Sequence, residues 1–129
     1  MARILIVDDE PGVRESLRMV LKGEHDVRTA ADAPAALARL AEGPVDLVLL
    51  DILMPGMDGL ELLRAIRQRH PALPVVMLTA TRTIRTAVEA MRLGAFDYLT
   101  KPFDVEELLV VVRQALAPPA AAAGGPARG

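Results

Sequence analysis

Five polar residues in this 129-residue chain have the types and spacing to do chemistry together. Asp8 and Asp9, with Glu10 behind them, follow the apolar run from Ile4 to Val7; Asp51 follows Val45 to Leu50; Thr79 follows Val75 to Leu78; Lys101 comes two residues after Leu99. Three carboxylates from two strands, held close together, repel one another and raise one another's pKa unless a cation intervenes. The hard, oxygen-seeking cation that takes one or two carboxylates and keeps waters for a phosphate ligand is magnesium. A carboxylate nucleophile beside that ion, with a hydroxyl and an ammonium as donors, suits phosphoryl transfer, which depends mostly on positioning and charge neutralisation. The expected product is an aspartyl phosphate. Lys101 departs from the chain's own habit, since there are 13 Arg and only 2 Lys. A compact ammonium can enter a tight phosphoryl site where a planar guanidinium does not fit.

Each residue alone also has a plainer role. Asp8 or Asp9 could cap the first helix, Thr79 could simply end a strand, and Lys101 could be a solvated loop charge. Asp51 is harder to dismiss, because a carboxylate ending a strand as apolar as Leu47–Leu50 needs a partner. It is the placement of every member at a strand end that favours the joint site.

The elements that must position these residues follow from hydrophobic period. The runs Ile4–Val7, Val45–Leu50, Val75–Leu78 and Phe96–Leu99, with a weaker one over about His25 to Thr29, are nearly continuous in apolar residues, as strands covered on both faces should be. Between them, Val13, Leu17, Val20 and Leu21 repeat with helical spacing after Pro11. Ala36, Leu37 and Leu40 mark a second helix with Asp32 as N-cap, and Leu62, Leu63 and Ile66 a third after Asp58-Gly59. Ile84, Ala87, Val88 and Met91 mark a fourth, which Gly94 stops. The last begins at Asp104, with Glu107 as its expected capping partner, and carries Val105, Leu108, Leu109, Val112 and Leu116. Strand and helix thus alternate five times, which predicts an α/β fold with a parallel sheet between two helical layers. Ligands of such sheets bind beyond the carboxyl ends of the strands, where the polar residues above fall.

Composition sets the bounds. A hydrophobic fraction of 52% with 25% charged residues excludes a disordered chain. The net charge of -2 gives no global case for nucleic-acid binding, and zero cysteines remove disulfides and zinc-thiolate sites. No apolar run approaches the ~20 residues of a membrane span, and no signal-peptide pattern is present, so the cytoplasm is the expected location. Residues 117–129 are Ala, Pro and Gly with one Arg, which predicts a flexible tail or linker after a folded domain of residues 1–116. The only aromatic residues, Phe96, Tyr98 and Phe103, share one eight-residue stretch around Lys101.

These residues resemble a known family. The segments Ile4-Leu5-Ile6-Val7-Asp8-Asp9-Glu10, Leu49-Leu50-Asp51-Ile52-Leu53-Met54-Pro55-Gly56-Met57-Asp58-Gly59, Leu78-Thr79-Ala80 and Gly94-Ala95-Phe96-Asp97-Tyr98-Leu99-Thr100-Lys101-Pro102-Phe103 occur in the order found in response-regulator receiver domains of two-component signalling. The last segment with Asp104 is most similar to receivers of NtrC-type transcriptional activators. The resemblance implies a flavodoxin-like (βα)5 fold with strand order 2-1-3-4-5. It implies that Asp51 accepts a phosphoryl group from a histidine kinase or phosphotransfer protein, through self-catalysed phosphorylation and dephosphorylation rather than turnover of a substrate. Asp9, Asp51 and the backbone carbonyl of Leu53 would bind Mg2+ directly and Asp8 mainly through water. Thr79 and Lys101 would hold the phosphoryl oxygens, with a cis peptide at Lys101-Pro102, X-Pro bonds being those that tolerate cis.

The same resemblance implies a switch. Thr79 moves toward the phosphoryl group, and Tyr98 turns inward, remodelling the face of the fourth helix, fifth strand and fifth helix toward an effector domain or downstream protein. That face includes Arg82, Arg85, Glu89 and Arg92. Leu53 and Thr81 occupy positions where the family varies and tunes phosphoryl lifetime. Whether a homodimer forms on phosphorylation is left open; direct nucleic-acid or membrane contact by this domain is not implied.

Three alternatives compete with that reading. A magnesium-dependent phosphatase with an aspartyl-phosphate intermediate would need a second carboxylate two residues after the nucleophile, where Leu53 stands. A flavin or nucleotide carrier would need a phosphate loop after the first strand, where Asp8-Asp9-Glu10 would repel phosphate. A receiver-like interaction module that is never phosphorylated would have no use for the complete site.

Overall fold

Ile4 and Ile6 face one way from the first strand, β1 (Arg3–Val7), and Leu5 and Val7 the other, yet all four are fully buried. Strand geometry sends successive side chains to opposite faces, so burial of both sets requires a layer on each side. The computed structural model, which describes residues 2–54, 57–80 and 84–117, supplies both layers.

In chain order the elements are β1, α1 (Pro11–Leu21), β2 (Asp26–Ala30), α2 (Ala33–Glu42), β3 (Leu47–Asp51), β4 (Leu53–Met54), β5 (Met57–Asp58), α3 (Gly59–Arg69), β6 (Val75–Thr79), α4 (Ile84–Arg92), β7 (Asp97–Thr100) and α5 (Val105–Leu116). The main sheet is parallel with order β2-β1-β3-β6-β7, which is 2-1-3-4-5 when its five strands are counted alone. One core layer joins Leu5, Val7, Val48, Leu50, Val75 and Met77 to Leu40, Leu62, Leu63 and Ile66 of α2 and α3. The other joins Ile4, Ile6, Leu47, Leu49, Val76 and Leu78 to Leu17 and Leu21 of α1 and to Leu108 and Val112 of α5. Phe96 and Phe103 pack against this second layer.

Local chemistry fixes the helix ends. Pro11 opens α1, and the Asp32 and Asp58 carboxylates accept from the Ala35 and Leu60 N–H groups at 2.8 Å, capping α2 and α3. Asp104 caps α5, but it accepts from the Glu106 N–H at 2.8 Å rather than through the capping-box exchange expected with Glu107. Gly94, at φ +96°, follows α4 in the left-handed conformation that glycine adopts without strain. The antiparallel pair β4–β5 had no counterpart in the sequence reading, because two-residue strands are too short to carry a period. Thr81, Arg82, the expected helix start near Thr83, and the segment after Ala117 lie outside the described residues.

Candidate acidic site at the carboxyl edge of the sheet

Register brings the predicted residues to one rim. Val7 pairs with Leu50, so Asp8 and Asp51 leave adjacent strands at the same level. Asp51 in turn pairs with Leu78, which sets Thr79 one step further along, and Thr79 pairs with Thr100, which sets Lys101 beyond it. The Lys101 N–H donates to the Thr79 carbonyl at 2.7 Å and so extends the ladder past the strand end.

The charged groups meet above this rim. Lys101 Nζ donates to Asp8 Oδ2 at 2.7 Å and lies 3.5 Å from Glu10 Oε1 and 3.6 Å from Asp51 Oδ1. Asp8 is fully buried, and Asp51 and Thr79 are each 4% exposed. Strand β7 lies three intervals from β1, about 14 Å at ~4.8 Å per interval, so this contact depends on the chain after β7 and a long stem reaching back across the rim. Burial alone pushes the Lys101 ammonium toward a lower pKa. The hydrogen bond it donates to Asp8 and the charges of Asp51, Asp8 and Glu10 outweigh it and leave the pKa above the ordinary lysine value. Lys101 is thus no solvated loop charge.

Nor do the first two aspartates cap α1. Its N-cap is Glu10, with no side-chain cap bond, while Asp8 Oδ1 accepts from the Glu10 N–H at 2.9 Å. That bond fixes the acidic turn, and Arg14 Nη1 adds to it by donating to the Asp8 carbonyl at 2.7 Å. One carboxylate oxygen each from Asp8, Asp9 and Asp51 lie within 4.8 Å of one another. An all-oxygen set at that spacing fits a hard cation that keeps part of its water shell.

Residues 4–113 match the response regulator receiver domain family. The chain is a receiver domain. It is 45% identical over 115 residues to the response regulator protein PilR of Pseudomonas aeruginosa, an alignment covering 88% of this receiver and 26% of PilR. It is 45% identical over 114 residues to the DNA-binding transcriptional regulator NtrC of Salmonella typhimurium, covering 88% of this receiver and 24% of NtrC. The receiver domain of NtrX from Brucella abortus superimposes with a TM-score of 0.84 at 45% identity, covering 88% of this chain and 97% of that one. The chemotaxis protein CheY4 of Vibrio cholerae gives 0.86 at 34% identity, covering 90% and 99%. The receiver spans 24–26% of the length of the NtrC- and NtrX-type relatives it matches.

Two residues of this receiver's site had no role assigned from sequence. Glu10 was counted with the acidic cluster, and its contact with Lys101 could not be foreseen from neighbours in the chain. Gly59 was noted only as following Asp58. A Cβ on it would stand 2.3 Å from the Asp51 carbonyl oxygen and 2.6 Å from Ile52 Cα, and its N–H donates to the Ile52 carbonyl at 2.7 Å. Glycine is required there because the start of α3 lies directly against the backbone of Asp51 and Ile52. The sequence signal was the Asp-Gly pair itself, which reads equally well as a turn.

Two further expectations concern the last strand. The Lys101-Pro102 peptide is cis. Tyr98 is 42% exposed and borders a depression of about 380 Å3 lined also by Ala87, Val88, Met91 and Arg92 of α4. Among the described residues no helix is long and apolar enough to cross a membrane.

Proposed function

We propose that this receiver is the phosphoacceptor of a two-component system and that Asp51 takes the phosphoryl group. The observation that carries this reading is the buried Asp51 carboxylate in one cluster with Asp8 and Asp9, 3.6 Å from the Lys101 ammonium. A carboxylate oxygen of Asp51 attacks phosphorus, the P–N bond of a phosphohistidine breaks, and the imidazole leaves with a proton from water; attack of water on the same phosphorus later restores Asp51. Lys101 leans from Asp8 toward the arriving oxygens, and Thr79, at the end of the neighbouring strand, offers its hydroxyl. Asp8, Asp9, Asp51 and the Leu53 backbone carbonyl would hold Mg2+, which when bound neutralises charge on the transferring oxygens. The domain turns over no separate substrate.

The donor is a sensor histidine kinase or phosphotransfer protein, and the setting is the cytoplasm. Thr79 and Tyr98 form the switch; the exposure of the Tyr98 ring and the α4 depression beside it support this reading by leaving the ring room to move. The output is transcriptional, in keeping with the name of the NtrC relative. Residues 1–116 form the receiver, and 117–129 a tail or linker. The test is incubation with Mg2+ and a small acyl phosphate followed by intact mass. One phosphoryl group on the wild type and none on Asp51→Asn is the expected result; equal uptake by both removes Asp51 from the role.

A further inference from the structure

Among its described side chains, helix α4 buries only small apolar groups. Its buried side chains among the described residues are Ala87 and Ala90, whereas α3 buries Leu62, Leu63 and Ile66. Val88 and Met91 of α4 face solvent. Its far end adds polar contacts to the packing of Ala90, Leu93 and Ala95 against the core. The helix closes in a Schellman arrangement, with Ala95 N–H donating to the Ala90 carbonyl at 3.0 Å and Gly94 N–H to the Met91 carbonyl at 3.1 Å. The Gly94 carbonyl, left over by that motif, accepts from Arg67 Nη2 at 3.3 Å.

Arg67 belongs to the last turn of α3. Its Nη1 donates to the carbonyls of His70 at 3.0 Å and Pro71 at 2.9 Å, so one guanidinium spans the ends of two helices. Both ends carry the negative pole of a helix dipole, which favours a cation there. A Cβ on Gly94 would stand 3.1 Å from Arg67 Nε and 3.4 Å from its Cδ, so the guanidinium fills the space that glycine leaves. Arg67 Nε itself is buried without a partner, and burial lowers the pKa of the side chain, although arginine stays charged at physiological pH. A partly desolvated cation is held here because its other nitrogens join α3 to the turn after α4. Two of the three bonds, both shorter, stay on the α3 side.

We infer that Arg67 anchors the carboxyl end of α4 to α3 and makes Gly94 the point about which α4 pivots when the Thr79 edge of the sheet changes state. The anchor is independent of phosphorylation; the pivot rests on the switch proposed above. The first measurement is amide hydrogen exchange at Leu93–Phe96 relative to Leu17–Leu21, on the unphosphorylated chain, for wild type, Arg67→Met and Arg67→Lys. Loss of the one charge-assisted hydrogen bond of the three that reaches the α4 end, at Gly94, predicts that the ratio rises about tenfold in Arg67→Met. Arg67→Lys, a charge without the fork, should lie between. An unchanged ratio overturns the anchor, whether exchange is unaffected or accelerates uniformly.

The second measurement adds Mg2+ and a small acyl phosphate and follows backbone amide shifts. In the wild type, changes should decline from Thr86 toward Leu93, and in Arg67→Met they should run on through Gly94 to Phe96. Changes as large at Gly94 as at Thr86 in the wild type overturn the pivot. No change anywhere in the wild type defeats the switch and the pivot together, and leaves the anchor to the first measurement.

Discussion

Replacing Lys101 by methionine tests the electrostatics of the site most directly. The substitution keeps an unbranched stem and removes the ammonium, so Asp8 Oδ2 loses its 2.7 Å donor while Oδ1 keeps the Glu10 N–H. Asp8 is fully buried, and the 3.6 Å attraction to Asp51 disappears as well. Removing one partner of a buried ion pair costs about 3–5 kcal/mol. Because 13% of the lysine side chain still reaches water, the lower end applies, about 3 kcal/mol. For a domain of this size, each kcal/mol moves Tm by roughly 3–5 °C. The expected loss is therefore about 9–15 °C by differential scanning calorimetry in a chelating buffer. Mg2+ provides the second arm. A divalent cation supplies the charge the variant lacks, so at one fixed Mg2+ concentration the variant should gain more Tm than the wild type, with about 2.7 kcal/mol available at a hundredfold excess over Kd. A fall of less than ~2 °C, or the same Mg2+ increment in both proteins, would refute the claim that Lys101 neutralises the acidic cluster.

The remaining expectations are briefer. Since the Lys101 pKa is raised on folding, its contribution is fully present below the unfolded value of about 10.4 and is lost as pH rises through the higher native value. The gap in urea midpoint between wild type and Lys101→Met should therefore shrink in strongly alkaline buffer, and a constant gap would contradict the assignment. Gly59→Ala places a methyl against the Asp51 and Ile52 backbone and should cost about 1–3 kcal/mol in urea unfolding while slowing phosphoryl uptake; a neutral result on both would mean the contact relaxes freely. Asp104→Ala removes the α5 cap and should lower stability by about 1 kcal/mol with uptake unchanged.

Much of the architecture was legible because a strand buried on both faces and an amphipathic helix write different periods into the chain. The runs ending at Val7, Leu50 and Leu78 became β1, β3 and β6, shifted by a residue or two, because nearly every residue in them is apolar and the layers on both sides need them so. The run at His25–Thr29 was weaker for a physical reason: β2 is the sheet edge beyond β1, and only Ala30 in it is buried. Helix caps at Asp32 and Asp58 were readable because a cap is satisfied within two or three residues. The pairing of Asp104 with Glu107 is not legible from spacing alone, since a carboxylate can serve the second helical N–H, here that of Glu106, as well as the third.

What the sequence alone determined is therefore local: which residues are apolar with which period, and hence which polar residues end the strands. Asp8, Asp51, Thr79 and Lys101 were identifiable on that basis. Tertiary structure decided who meets whom. Lys101 lies closer to Asp8, 93 residues away, than to Asp51 because strand order and register set the separation that its stem must cross. The demand for glycine at 59 arises because α3 starts against the Asp51 backbone, and Arg67 finds Gly94 because two helix ends come together under the sheet. Periodicity reports which face a residue buries, but a partner is chosen by distance in space, and that exists only once the layers have packed.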